Sequence, residues 1–141
     1  MVSNPAAEYR LKVARGFLAE ASQNFAAQQW RACVEHCQLS LGHAAKAALA
    51  LAGPVPRTHD PAATLLRALE QERFPEAART VVEQLVEVAG QLGPDIHIAI
   101  SYGDEDELKT PWDLFDASDA RRTLELASRA VQLAERLLLP A

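Results

Sequence analysis

Aromatic side chains are scarce in this chain, at 6 % of 141 residues. A core of ordinary size must then be filled mainly by aliphatic groups, and Leu, Val and Ala supply them. Positive charge is in deficit too: 14 Lys and Arg stand against 19 Asp and Glu, a formal charge of −5. Such a chain has no general attraction to phosphate backbones or anionic membranes. Non-specific nucleic-acid binding is therefore not expected, and a phosphate-directed role needs a local basic patch. Long apolar runs are missing as well. The longest, Ala44 to Ala52, is broken by Lys46 and is far shorter than the ~20 residues that span a bilayer. Met1 to Pro5 hold neither a basic nor an apolar leader segment. No secretory signal or membrane association is expected, and the cytoplasm is the expected location. The only two cysteines, Cys33 and Cys37, lie one helical turn apart. They read as small buried thiols in a reducing compartment.

What is present is helical periodicity. Apolar content of 49 % and charged content of 23 % are those of a globular domain. A first helix follows Asn4 as N-cap and Pro5 at its first position, with the stripe Leu11, Ala14, Leu18, Ala21 and Phe25, widened by Phe17. A second runs from about Gln28 to Ala52 on Val34, Cys37, Leu41, Ala44 or Ala45, Ala48 and Leu51, and Gly53-Pro54 ends it. Its small residues admit close neighbours, which makes it the expected centre of the bundle. Asp60-Pro61 opens a short third helix carrying Leu65, Leu66 and Leu69. Phe74-Pro75 opens a fourth on Ala78, Val82, Leu85, Ala89 and Leu92, and Gly93-Pro94 closes it. Asp95 to Ala117 is irregular. Within it Ile96 to Ile100 alternates like a strand, and is read as a helical extension or an extended connector. The last helix starts near Asp116 or Ser118, with Leu124, Ala127, Val131, Ala134 and Leu138 in register. The expected fold is all-α: a single-domain antiparallel bundle over residues 1–141, four long helices and one short, with an irregular segment before the last.

The stretch Trp30 to Gln38, then Ala44-Ala45-Lys46-Ala47, then Thr58-His59-Asp60, resembles the HEPN family, the nucleotide-binding domain of higher eukaryotes and prokaryotes, in its stand-alone bacterial or archaeal form. The matching positions are His36, Gln38 and Lys46 on one helix, the Thr58-His59-Asp60 start of the next, and Tyr102-Gly103-Asp104 before the last long helix. The resemblance implies a helical bundle that usually forms a homodimer. Many members sit beside a minimal nucleotidyltransferase in a toxin–antitoxin-like pair. Others are ribonucleases, with Arg-x(4–6)-His near the start of a late helix.

The ribonuclease chemistry needs an arginine for the phosphorane charge and a histidine to move the 2′-hydroxyl proton. No arginine precedes His97 at that spacing. The one formal match, Arg31 with His36, lies on the second helix. Five residues of helix leave the two side chains roughly 140° apart, so no catalytic residue is assigned. Cys33, His36 and Cys37 lack the paired short spacings of a structural zinc site, and no metal or cofactor is expected. Two polar stripes of the second helix remain: His36, Ser40 and His43 on one, and Glu35, Gln38, Gly42 and Lys46 on the other. The candidate ligand-binding residues are His36, Ser40, His43, Lys46, His59, Tyr102 and Asp104. Asp60 reads as a helix cap, and His59 as the residue that locks its loop. The leading expectation is an interaction or nucleotide-binding module acting with a minimal nucleotidyltransferase. The alternatives are a free nucleotide-binding protein using His36, His43 and Lys46, or a divergent metal-independent ribonuclease.

Overall fold

The structure, a computed structural model, describes residues 4–138. Among these residues seven helices follow in order: α1 (Pro5–Ala26), α2 (Trp30–Ala52), α3 (Pro61–Glu70), α4 (Glu76–Gly90), α5 (Pro94–Tyr102), α6 (Pro111–Leu114) and α7 (Ala117–Leu138). Among the described residues there is no strand, only an isolated bridge between Asp104 and Lys109. No helix among them is long and apolar enough to cross a membrane.

The helix starts are chemically defined. Asn4 Oδ1 accepts from the Ala7 amide at 3.1 Å, and its Nδ2 donates to the Ala50 carbonyl at 3.1 Å, so one side chain caps α1 and ties it to the end of α2. Asp60 Oδ1 accepts from Ala63 at 3.2 Å and caps α3. Asp116 and Asp119 cap α7 reciprocally, each carboxylate accepting from the other's amide at 2.9 and 3.0 Å.

α2 is the centre of the bundle and touches all six other helices. Its most extensive packing is against α1 and α7. The buried residues there are small and regularly spaced: Ala7, Ala14 and Ala21 on α1, Ala44, Ala45, Ala47 and Ala48 on α2, and Ala120, Ala127 and Ala134 on α7, all fully buried. Alanine at heptad spacing lets helix axes approach closely without leaving voids. These alanine faces are buried inside the chain itself, so a second copy would have to use other surfaces. Leu65, Leu85 and Leu133 supply the largest fully buried side chains.

Two boundaries differ from the sequence reading. Gly93-Pro94 does not close α4, which ends at Gly90. Instead Gly93 is the N-cap of α5 and Pro94 its first residue. The segment from Asp95 to Ala117 is not wholly irregular, because α5 and α6 lie in it. The alternation of isoleucines is a helical pattern: Ile100 is buried and Ile96 half-buried, one turn apart, while Ile98 is 55 % exposed on the outer face.

Candidate functional site

α2 is surrounded, and its two polar stripes meet different neighbours. His36, Ser40 and His43 face α1. Ser40 is fully buried and donates from Oγ to the Ala14 carbonyl at 2.7 Å. A buried hydroxyl without a partner would be costly, so this bond is structural. His36 sets Nδ1 against Asn24 Oδ1 at 2.6 Å and Nε2 against Glu20 Oε2 at 3.1 Å. Phe17 stacks against both imidazoles, with centroids 6.0 Å from His36 and 5.7 Å from His43. His36 and Ser40 therefore belong to the α1–α2 seam.

His43 is shared between the seam and a cavity of about 180 Å3. The cavity is bordered by Gln38, Gly42, His43 and Lys46 of α2, by the Thr58–Ala62 corner, by the end of α4, and by Gly93, Pro94 and His97 at the start of α5. Lys46 and His59, two more of the candidate residues, meet His43 there. Tyr102 and Asp104 do not. They lie in a separate groove with Ile98, Asp95 and Leu114.

Each wall has a local reason. The Thr58 hydroxyl accepts from the Asp60 amide at 3.0 Å and from Thr64 Oγ1 at 3.2 Å. Thr58 locks the loop, the role expected of His59, and this leaves the exposed His59 ring at the cavity edge. Gln38 Nε2 donates to the Gly93 carbonyl at 3.0 Å and fixes the α4–α5 turn against α2. That brings in His97, which the sequence reading left unassigned. No local motif marks it, and only the short α5 turns it toward α2. Gly42 faces Pro61, whose Cγ would lie 3.8 Å from an added Cβ, so the cavity wall here has room for a methyl group in ordinary contact.

The electrostatics favour an anion. Arg10 Nη1 lies 3.3 Å from His43 Nδ1. Arginine can only donate, so Nδ1 accepts and Nε2 carries the proton of the neutral ring. Burial, with Lys46 and Arg10 nearby, brings the His43 pKa down to about 4. Burial, then Arg10, also lowers the Lys46 pKa. A partly desolvated ammonium and an imidazole N–H thus share one recess, with the Asp60 carboxylate at its edge engaged as the α3 cap. Such donors are worth more to an anion out of bulk water than in it.

The other arrangements do not converge. Arg31 donates from Nη1 to Glu35 at 2.8 Å and to the Ile100 carbonyl at 3.1 Å, and lies over the Trp112 ring at 5.6 Å. It joins α2 to α5 and α6, whereas His36 faces α1, so the Arg31–His36 spacing builds no site. Cys33 and Cys37 are free, fully buried thiols, with Cys33 Sγ 3.9 Å from the Ala120 carbonyl on α7. The neighbouring Cys33 sulfur and burial push the Cys37 thiol up. His36, facing α1, does not join them.

A family model described as HEPN domain matches residues 7–138. A solved structure, that of TT1696 from Thermus thermophilus, superposes with a TM-score of 0.70 over 95 % of this chain and 98 % of that one, at 19 % identity. At that identity the likeness establishes the fold alone. No curated relative matches the chain.

Proposed function

The chain belongs to the HEPN domain family, and on that premise we propose that it is a binding module whose α2–α3–α5 cavity takes the phosphate end of a nucleotide. The family supports a nucleotide-binding or ribonuclease-like module. The observation that carries the narrower reading is the convergence of Lys46, His43, His59 and His97, from three separate segments, on one recess. Sites that engulf a whole drug-sized ligand run to ~300–1,000 Å3. A cavity of about 180 Å3 suits one group of the ligand, with the remainder lying across the exposed His59 and His97 rings. Lys46 supplies charge and His43 Nε2–H a directed hydrogen bond. Arg31 and His36 have structural partners, so the proposal assigns no RNA cleavage to them.

Melting curves with ATP, GTP, AMP and inorganic phosphate test the cavity. A ligand at 100 times its dissociation constant should add ~2.7 kcal/mol of stability, and Lys46→Met should abolish the shift. Absence of any shift in the native protein sinks the reading. Cleavage of a labelled RNA that His36→Ala abolishes would restore the ribonuclease.

The proposal extends to a homodimer working with a minimal nucleotidyltransferase in a toxin–antitoxin-like pair. Its support is family membership together with the separate structural partners of Arg31 and His36. The adjoining reading frame should encode the transferase and its product should co-purify. A monomer mass by light scattering at micromolar concentration would remove the dimer.

A further inference from the structure

Beyond the cavity, the outer side of α5 carries a second feature. Ile98 and Tyr102 stand one turn apart on that face, 55 % and 65 % exposed, and no other helix covers them. With Leu114 they line an open groove of about 640 Å3 that shares no residue with the α2–α3–α5 cavity. Its charged side chains are all acidic: Asp95, Asp104, Glu105 and Asp106 border it, and no Lys, Arg or His does.

The acidic edge is held in place. Asp104 and Lys109 exchange two backbone hydrogen bonds at 2.9 Å, and Asp104 Oδ1 accepts from the Glu107 amide at 3.1 Å. Gly103 has φ +72, and a Cβ there would collide with the Lys109 carbonyl. The turn therefore returns tightly from α5 and keeps Glu105 and Asp106 beside Tyr102.

We propose that this groove is a docking site for a basic amphipathic helix of another protein, whose aliphatic residues seat between Ile98, Tyr102 and Leu114 while its Lys or Arg residues meet the carboxylates. Charge decides the occupant. Carboxylates alone on the rim repel an acidic surface and attract a basic one. A second copy related by a two-fold axis through the groove would set Asp104, Glu105 and Asp106 against themselves. The chain's own basic face on α7, with Arg121, Arg122 and Arg129 exposed, intersperses Glu125 and Gln132 and offers no exposed aliphatic anchor. A helix with apolar residues at i, i+3, i+4 and i+7 fits instead. The surface is independent of the cavity and of what the cavity binds.

The test uses the full chain and three labelled peptides of about 18 residues, long enough for five helical turns. One is a Lys/Leu amphipathic helix, one its Glu/Leu counterpart, and one a Lys/Ser sequence of equal charge. Fluorescence anisotropy should show the Lys/Leu peptide binding at least ~10-fold more tightly than either of the others. Ile98→Asp should remove that preference. Asp104→Asn with Glu105→Gln and Asp106→Asn should weaken it and flatten its dependence on salt between about 50 and about 300 mM. Removing the exposed charges Glu83 and Glu87 of α4 should leave it unchanged. Ile98, Glu105 and Asp106 are exposed, and asparagine at the half-buried position 104 keeps the oxygen that accepts from Glu107, so melting curves should match the native protein and exclude misfolding. Equal binding of the Lys/Leu and Lys/Ser peptides, indifference to Ile98→Asp, or equal loss on removing the α4 charges would each overturn the proposal. So would a native dimer, by light scattering, that Ile98→Asp converts to a monomer.

Discussion

Between α1, α2 and α7 the buried surface is largely alanine at heptad spacing, and the one buried hydroxyl of α2, Ser40, donates to a carbonyl of α1. Around α3, α5 and α6 the same chain uses short helices, a proline at each start, and turns with Gly103 and Leu108 at positive φ. The cavity and the acidic groove both border these short helices, and five large apolar residues, Leu66, Ile98, Tyr102, Leu108 and Trp112, are exposed there. The contrast is between a frame with little freedom to rearrange and an attached layer that presents surfaces. α2 takes part in both: His36 and Ser40 are spent on the frame, the Gln38–Gly42–Lys46 stripe faces the layer, and His43 touches each.

The largest expected effect puts that contrast to a direct trial. Leu133 on α7 and Leu65 on α3 are both fully buried. Truncation of a buried leucine costs ~2–5 kcal/mol, depending on how far the surroundings collapse into the space. Leu133→Ala should fall near the upper end, since the long helices of the frame, rich in buried alanine, offer few side chains to move inward. Leu65→Ala should fall near the lower end, because a short helix on the edge of the bundle can shift. Urea unfolding gives both values. An equal or greater loss for Leu65→Ala would dissolve the distinction between frame and layer.

How much of this was legible in the sequence follows the same division. The frame was readable because long helices average their signals: Asn4-Pro5 starts α1, and the alanine and leucine stripes of α1, α2 and α7 repeat over five or six turns. The layer was harder. In nine residues of α5 the isoleucines at 96, 98 and 100 satisfy period two as well as one helical turn, and only packing on α2 decides between them. Lys46 and His59 could be named from their motif and His43 from its polar stripe, but not which stripe of α2 opened to a cavity. A helix with neighbours on most sides has too little solvent face for a pattern to reveal, so His36 and Ser40 looked equivalent to Lys46. Arg10 and His97 escaped because they reach the site from distant parts of the chain.

A middle-sized effect lies where frame and layer meet, at His43. Its pKa is 6.5 in a free chain and about 4 here, mainly through burial. Between those values the unfolded chain holds the extra proton. Stability from this group is therefore complete above pH 6.5 and is lost as the pH falls toward 4. The ring is only half buried, so after solvent screening the loss is on the order of 1 kcal/mol. Unfolding free energies across that range should show a shallower slope in His43→Gln than in the native protein. Identical slopes would mean that Arg10 and Phe17 do not hold the ring as described.

The smallest effect separates stability from binding. Gly42 lies inside α2, where glycine costs roughly 0.5–1 kcal/mol relative to alanine. The nearest atom to an added Cβ is Pro61 Cγ at 3.8 Å, an ordinary contact. Gly42→Ala should thus raise stability by a few tenths to ~1 kcal/mol. The new methyl would stand in the cavity wall between His43 and Pro61. If the recess holds a phosphate, the same variant should melt higher alone and gain less from added nucleotide than the native protein does. A glycine kept where alanine fits and would stabilise the helix is then explained by the space it leaves. Were Gly42→Ala to gain stability with an undiminished nucleotide shift, the ligand would lie elsewhere, and the open wall would be a packing accident of the short-helix layer.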